Sequence, residues 1–417
     1  MPIARANIPL TNSDVLGVIT DLITPRSLEK DAEDILAFET AFAARYDAPP
    51  AVSFCKARMA FYHLLRSFEL AEDQQVIISS LHIGDFVNMI LLAGLKPVIV
   101  DVAKNGYNVD FEDLERKITE QTGLIVVTHL AGYPTDMTRV TSIVDRRNIL
   151  ILEDCSQSVT STFNGRLLGT YGEASIFSLS LLKSVCTLNG GLVVTKNREL
   201  HDRLVRATNE LPKAPKIPLL SEAIKNLILI IALSFPVFDL IVFPLLRLKN
   251  RRSDFLAKYQ KTNKTVTLRK EIPKNFMTGF SGAQARLGLK LLSSLSQNEK
   301  RRIRNGRALY DILKQSGTAC LPVSADVDGT TFWLFPIFPK NPNALRSKLI
   351  SNGFDCSPML LSNLSQVEAF NGISTPCPNA THFHTNTVFV PAHGRMSPKE
   401  ISKLAEIIIQ FENREDA

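Results

Sequence analysis

Six short runs, QVIIS, PVIVDV, GLIVVTHL, ILILED, ASIFSL and GGLVVT, recur through the first two hundred residues, each apolar from end to end. A strand with no polar face must be covered on both sides, the condition of a mainly parallel sheet sandwiched between helices. The stretches between them supply the cover: KARMAFYHLLRSFEL (56–70) and DFEDLERKITE (110–120) read as helices. The expected fold class is therefore α/β with a mainly parallel sheet, and ligands of such sheets sit outside the C-terminal strand ends. A chain of 417 residues has room for two or three domains. Hydrophobic residues at 45% against charged residues at 21% fit a globular protein, not a disordered one. The net charge of +7 is not gathered into one tract, so no nucleic-acid partner is expected. Six cysteines without a C-x-x-C pair argue for reduced thiols, with neither a disulfide frame nor a zinc site. MPIARANIPLTNSD lacks the apolar core of a signal peptide, so no export is expected.

Two strand ends carry groups suited to chemistry. ILILEDCSQS ends in Glu153 and Asp154, and ASIFSLSLLK ends in Ser178, Ser180 and Lys183. A lysine just past a buried strand is partly desolvated, which favours the neutral, nucleophilic amine. An aspartate at the neighbouring strand end can hold a protonated ring nitrogen. Pyridoxal phosphate needs such a pair, a lysine for its aldehyde and an acid for its pyridine nitrogen. From these residues alone, a second reading stays open in which Asp154 caps a turn and Lys183 reaches solvent.

The chain resembles the DegT/StrS family of pyridoxal-phosphate-dependent sugar aminotransferases, within the aspartate-aminotransferase fold. The likeness is carried in order by IPLTNSD, LLAGLKPVIVDVAKNGYNVDFEDLERKIT and THLAGYPTDM. It continues through LEDCSQSVTSTFNGRLLGTYGEASIFSLSLLKSVCTLNGGLVVT, SGAQARLGLKLLSSL and FVPAHGRMSPKEISKLAEII. The resemblance implies that Lys183 is the lysine joined to the cofactor and that Asp154 pairs with the pyridine nitrogen. It further implies that Gln157 lies against the ring's 3-oxygen and that Ser178 contacts the phosphate. Gly190 and Gly191 would let the backbone pass closely, or simply make a turn. Glutamate is implied as amino donor and a nucleotide-linked keto-sugar as acceptor, with homodimers that build each site from two subunits. Relatives that replace the lysine by histidine dehydrate sugars; this chain keeps Lys183, which favours amino transfer.

Four departures stand out. Where the family opens its first helix with Ser-Gly-Thr, this chain reads Cys55, Lys56, Ala57, Arg58. Backbone N–H groups at Ala57 and Arg58 would still suit a phosphate, with Lys56 or Arg58 adding charge. The family's aromatic position over the ring is Ile83, with His82 beside it to stack or to pack. The motif that reaches the partner subunit's phosphate is replaced by PKNFMTGFSG, where Asn275 is out of register by two. Finally, IPLLSEAIKNLILIIALSFPVFDLIVFPLLRLKNRRSD is inserted, and from Asn226 to Leu246 it is nearly all apolar, interrupted by Pro236, Asp239 and Pro244. Lys213, Lys216 and Lys225 precede the run's core, and Arg247, Lys249, Arg251 and Arg252 follow it. Basic flanks on both sides argue against crossing a bilayer and for an in-plane or re-entrant hairpin; burial in a dimer interface is the alternative.

The expected organisation is a large cofactor-binding domain (1–212), an inserted hydrophobic helical arm (213–270) and a smaller C-terminal α/β domain (271–417). The site set is Lys183 and Asp154 as catalytic residues, with Gln157, Ser178, Ala57, Arg58 and His82 around pyridoxal 5′-phosphate and no metal. The expected function is transfer of an amino group, from glutamate, to a nucleotide- or lipid-linked keto-sugar. It would act on the cytoplasmic side of the inner or plasma membrane, as a peripheral or monotopic homodimer held by lipid through residues 217–252. The alternatives are a non-catalytic scaffold or sensor on the same fold, or a different pyridoxal-phosphate reaction on a lipid-linked carbonyl. Trp333 is expected in the small-domain sheet, His382 and His384 on a strand, and Ser397 to Glu400 as a helix capping box.

Overall fold

The computed structural model describes residues 1–24, 27–104, 106–249, 266–318, 320–321 and 328–415. Its first ten strands are β1 (Val52–Phe54), β2 (Gln75–Ser79), β3 (Leu81–His82), β4 (Lys96–Val100), β5 (Thr122–Thr128), β6 (Leu150–Asp154), β7 (Thr162–Phe163), β8 (Arg166–Leu167), β9 (Ala174–Ser178) and β10 (Gly191–Val194). Seven of them form the main sheet, in the order β1-β10-β9-β6-β5-β2-β4. The five strands from β9 to β4 run parallel, and only β10 runs against its neighbours. Their residues are buried on both faces almost throughout, which is why the apolar runs carry no alternation.

The covering helices are α1 (Asn12–Ile23), α2 (Leu28–Ala43), α3 (Ala57–Ser67), α4 (Gly84–Leu92), α5 (Phe111–Lys117), α6 (Met137–Val144) and α7 (Arg198–Asn209). After them come α8 (Lys216–Ala232), a π-helical turn at Phe238–Val242, α9 (Phe243–Lys249) and the long α10 (Gly282–Gln315). α10 starts at a capping box in which Ser281 and Gln284 bond reciprocally. Its first half shares a core with Phe38, Phe42 and Phe280, and its second half, through Leu309 and Leu313, joins the core of the C-terminal unit. That unit holds β11 (Phe335–Ile337), β12 (Ser357–Pro358), β13 (Ser362–Asn363), β14 (Val388–Val390), α11 (Pro342–Ser351), α12 (Pro378–Asn386) and α13 (Pro398–Glu415). Its sheet has the order β11-β14-β12, antiparallel. β13 instead pairs with β3, setting Ser362 opposite His82 and tying this unit to the edge of the cofactor region. The chain's first residues also cross over: Ile3 bridges Phe354, and Arg5 makes a bidentate pair with Asp355 at 2.8 Å. Ser397 and Glu400 form the expected capping box.

Three expectations need correcting. The inserted hydrophobic arm does not stand off the body. Ala223 and Ile230 of α8 enter the large-domain core, and Phe238, Phe243 and Leu246 enter that of the C-terminal unit. The apolar run is broken by Ser234, Phe235 and Pro236, and among the described residues no helix is long and apolar enough to cross a membrane. Residues 250–265, including Arg251 and Arg252, lie outside the described residues. His382 and His384 sit on α12, because Pro378 at its first position starts a helix and the strand begins only at Val388. Trp333 precedes β11 and turns to the active-site region.

Candidate active site

The parallel strands β5, β6 and β9 end side by side in Thr128, Asp154 and Ser178, and a cavity of about 110 Å³ lies beyond them. Lys183, Asp154, Gln157, Ser178, Ala57, Arg58 and His82 all line this cavity, as do Lys56, Ile83 and Gly190. Asn275 does not; it is exposed in a short 3₁₀ turn.

β9 carries the chain into the turn that presents Lys183. Leu179 N–H donates to the Gly190 carbonyl, Thr187 N–H to the Leu179 carbonyl and Lys183 N–H to the Ser180 carbonyl, so the loop closes on itself. Gln284 of α10 fastens it by donating to the carbonyls of Thr187 and Asn189, at 3.1 and 2.7 Å. Gly190 has φ +146°, and a Cβ on Gly191 would lie 2.4 Å from Ala57 Cα, so the first turn of α3 rests directly on β10. Glycine-glycine here serves close approach as well as the turn.

Electrostatics distinguish the two catalytic candidates. Burial pulls the Lys183 ammonium down to about 8, against the opposing pull of the Asp154 carboxylate. Burial alone would push Asp154 up, but the hydrogen bond and charge of His82, with Ser156, hold it below the usual carboxylate range. His82 Nε2 is 3.1 Å from Asp154 Oδ2, and Ser156 N–H donates to Oδ1 at 2.9 Å. His82 is thus a partner of Asp154, and its ring meets Phe86 at 4.4 Å. Lys183 Nζ lies 3.9 Å from the centroid of Trp333, whose indole N–H donates to the Leu182 carbonyl at 2.9 Å.

These residues fit pyridoxal phosphate. Lys56, the N-cap of α3, makes no side-chain cap, so the first backbone N–H groups of the helix face a ligand with the favourable end of its dipole. The Ser178 and Ser180 hydroxyls stand 3.1 Å apart on the same cavity. Arg58 is ion-paired with Asp85, which Arg269 also engages at 2.9 Å, and Phe276 packs over both guanidinium groups. Gln157 accepts the Ala131 N–H at 2.6 Å, leaving its amide nitrogen as a donor for a ring oxygen. Thr128 Oγ1 and His82 Nδ1 are buried at the cavity without a protein partner, as expected of polar atoms awaiting a ligand.

Other groups were not legible in the sequence. Trp333, Tyr107, Glu222, Leu229, Leu233 and Phe389 line an apolar cavity of about 380 Å³ that shares Lys183 with the first. A third, of about 580 Å³, is lined by Arg5, Lys290, Arg301, Arg302 and Arg395 and again reaches Lys183. Nothing in one dimension marks these residues, which reach the cavities at Lys183 from positions as far apart as Arg5 and Arg395. His129, Glu153 and Cys155 form the one metal-like cluster among the described residues. Glu153 there accepts backbone N–H groups from Gly169, Tyr171 and Gly172 besides facing His129, a structural arrangement.

Residues 13–210 match the family described as DegT/DnrJ/EryC1/StrS aminotransferases. GDP-perosamine synthase of Escherichia coli O157:H7 is 32% identical over 169 residues, which is 40% of this chain and 46% of the relative. The spore coat polysaccharide biosynthesis protein SpsC of Bacillus subtilis is 28% identical over 198 residues, 48% of this chain and 51% of the relative. The chain thus spans about half the length of the curated relatives it matches. Among solved structures, Helicobacter pylori PseC, an aminotransferase of pseudoaminic acid biosynthesis, superposes with TM-score 0.74 at 19% identity, covering 99% of this chain and 100% of that one. The likeness to the DegT/DnrJ/EryC1/StrS aminotransferases thus lies in residues 13–210, and the fold of nearly the whole chain is that of the superposed structure.

Proposed function

We propose that the protein is a pyridoxal-phosphate-dependent aminotransferase that moves an amino group from an α-amino acid, glutamate, to a keto-sugar. The observation that carries this is the desolvated Lys183 amine, about 8, beside an ionised Asp154 at adjacent parallel-strand ends, with an uncapped helix N-terminus on the same cavity. When bound, the cofactor supplies an electron sink and stores the amino group between the two half-reactions.

The residues divide the remaining work. Ala57 and Arg58 N–H groups with Ser178 would hold the phosphate. Asp154, kept ionised by His82 and Ser156, holds a proton on the ring nitrogen. Lys183 Nζ, when free, takes the proton from the donor's α-carbon and returns it on the other side; an amine near 8 has the basicity for both directions at neutral pH. Trp333, Ile83 and Leu361 keep water from that atom. The cavity of five cationic side chains, three of them paired with Asp14, Glu299 and Asp355, keeps Arg301 and Arg395 in excess and suits an acceptor carried on phosphate. The family resemblance adds a homodimer, which sedimentation velocity tests.

The test is the visible absorption of the purified protein before and after L-glutamate, with Lys183→Ala alongside. Loss of the yellow band on glutamate, and its absence in the variant, supports amino transfer. A band indifferent to every amino donor would point to another reaction, and failure to bind the cofactor would leave a scaffold.

A further inference from the structure

Within residues 217–248 lie nine of the fifteen exposed large hydrophobic residues among those described. On α8 they are Ile217, Ile224, Ile228 and Ile231, at 81, 44, 62 and 43% exposure, a spacing that sets them on one stripe. Phe235 and Leu240 continue it beyond the helix at 72% each. An amphipathic helix of a soluble body hides its apolar face; α8 has a second one turned outward. Glu222, Leu229 and Leu233 form a different stripe, and that one lines the apolar cavity at Lys183. Leu229 and Ile231 stand about 200° apart around the helix, so the outward stripe and the cavity stripe are on opposite sides of a wall about 10 Å thick.

Charge identifies what covers the outer face. Every exposed charged residue described between 213 and 249 is basic: Lys213, Lys216, Lys225 and Arg247. The two acids of the stretch, Glu222 and Asp239, are half-buried. A second copy packed across a two-fold axis would bring like charges together with no acid to meet them, whereas an anionic headgroup layer meets both the cations and the apolar side chains. The contrast lies on α2, where exposed Leu28 and Leu36 are interleaved with exposed Glu29 and Glu33, unsuited to such a surface.

We propose that this face of α8 and α9 lies in the plane of an anionic bilayer and that the acceptor is a lipid-linked keto-sugar phosphate. Its carbonyl meets Lys183, its phosphate takes the cationic cavity, and its hydrocarbon chain runs along Leu229, Leu233 and Leu360 toward the bilayer. The proposal rests on the aminotransferase reading above and narrows its acceptor.

The experiment has two arms, both on the full-length, cofactor-loaded protein. Sedimentation with phosphatidylcholine vesicles, with and without phosphatidylglycerol, should show binding only to the anionic set, weakened by salt and reduced about tenfold or more by Ile224→Glu with Ile228→Glu. The glutamate-driven spectral change should persist in that variant, because neither residue lines a cavity, so failure of membrane docking is read separately from failure of amino transfer. Trp333 is the only tryptophan of the chain, so its fluorescence reports on both larger cavities. Farnesyl phosphate should change it saturably, and Leu233→Gln should weaken that effect about tenfold, while inorganic phosphate alone should act only at far higher concentration. Absence of vesicle binding with the spectral change intact would overturn the proposal. So would conversion of a dimer to monomers by the double variant, which would make the face an interface between copies. A fluorescence response to phosphate equal to that of farnesyl phosphate would remove the lipid from the acceptor.

Discussion

Replacing Lys183 by Met should stabilise the cofactor-stripped protein at neutral pH, because the charged amine is held where water solvates it poorly. A fall from the ordinary 10.5 to about 8 corresponds to about 3 kcal/mol of cost for the charged form. The ammonium recovers about 0.5–1 kcal/mol from the face of Trp333, 3.9 Å away, and that contact is lost as well. The expected net gain is about 2 kcal/mol. Its sign with pH follows from linkage: between 8 and 10.5 the unfolded chain holds a proton on this lysine that the folded one has released, so parental stability climbs over that window. The variant's advantage is therefore full below about 8 and gone by 10.5. Urea unfolding of both proteins at the two ends of the window measures it. A variant less stable than its parent at neutral pH would refute the desolvation argument. A gain of equal size at both ends would assign the effect to packing instead of charge.

Gly191→Ala drives a Cβ into Ala57, 2.4 Å from its Cα and 2.6 Å from its N, and should cost about 2 kcal/mol while weakening cofactor retention about tenfold, read by titration with pyridoxal phosphate. Asp154→Asn should leave the cofactor bound but slow the glutamate half-reaction about a hundredfold or more in stopped-flow absorbance, since the amide cannot hold the ring-nitrogen proton. Glu39 is buried against Ser53, whose N–H and hydroxyl donate to it at 2.7 and 2.6 Å, and burial pushes its carboxyl up to about 7. Glu39→Gln keeps an acceptor for Ser53 and removes the charge, so it should stabilise the protein by about 1–2 kcal/mol above pH 7 and not at all well below 4.5, where both states are protonated.

The central sheet was legible because each of its parallel strands is covered on both faces, which erases alternation and leaves continuous apolar runs such as Ile151 to Leu152 or Ile176 to Phe177. Lys183, Asp154 and Ser178 were legible for a related reason: chemistry at the end of such a strand interrupts the run with a polar residue. His82 was harder. Its place beside Ile83 suggested stacking, but pairing of β3 with β13 turns its imidazole toward Asp154. The stretch from Asn226 to Leu246 was only partly legible from its composition. Hydropathy reports how much apolar surface a segment owns and not where that surface goes, and here part of it is buried in two separate cores. Trp333 carried no local signal, since its value lies in a contact with Lys183 from the other half of the chain.

That contact bears on how the two halves work together. Lys183 and its loop belong to the large sheet, while Trp333 and Thr331 come from the segment after α10. Arg302 of α10 joins them, donating to the Thr331 carbonyl at 2.9 Å and to Ser184 Oγ at 3.2 Å. Displacing the C-terminal unit would therefore move the aromatic face on which the amine rests as well as the wall of both larger cavities. An amine resting on an indole face is shielded without being hydrogen-bonded, so it stays available for attack. A hydrogen-bonding carboxylate in the place of Trp333 would instead raise the amine's pKa and hold it protonated. Placing an aromatic side chain there, on an element separate from the cofactor strands, keeps Lys183 desolvated while leaving Asp154 free to serve the ring nitrogen.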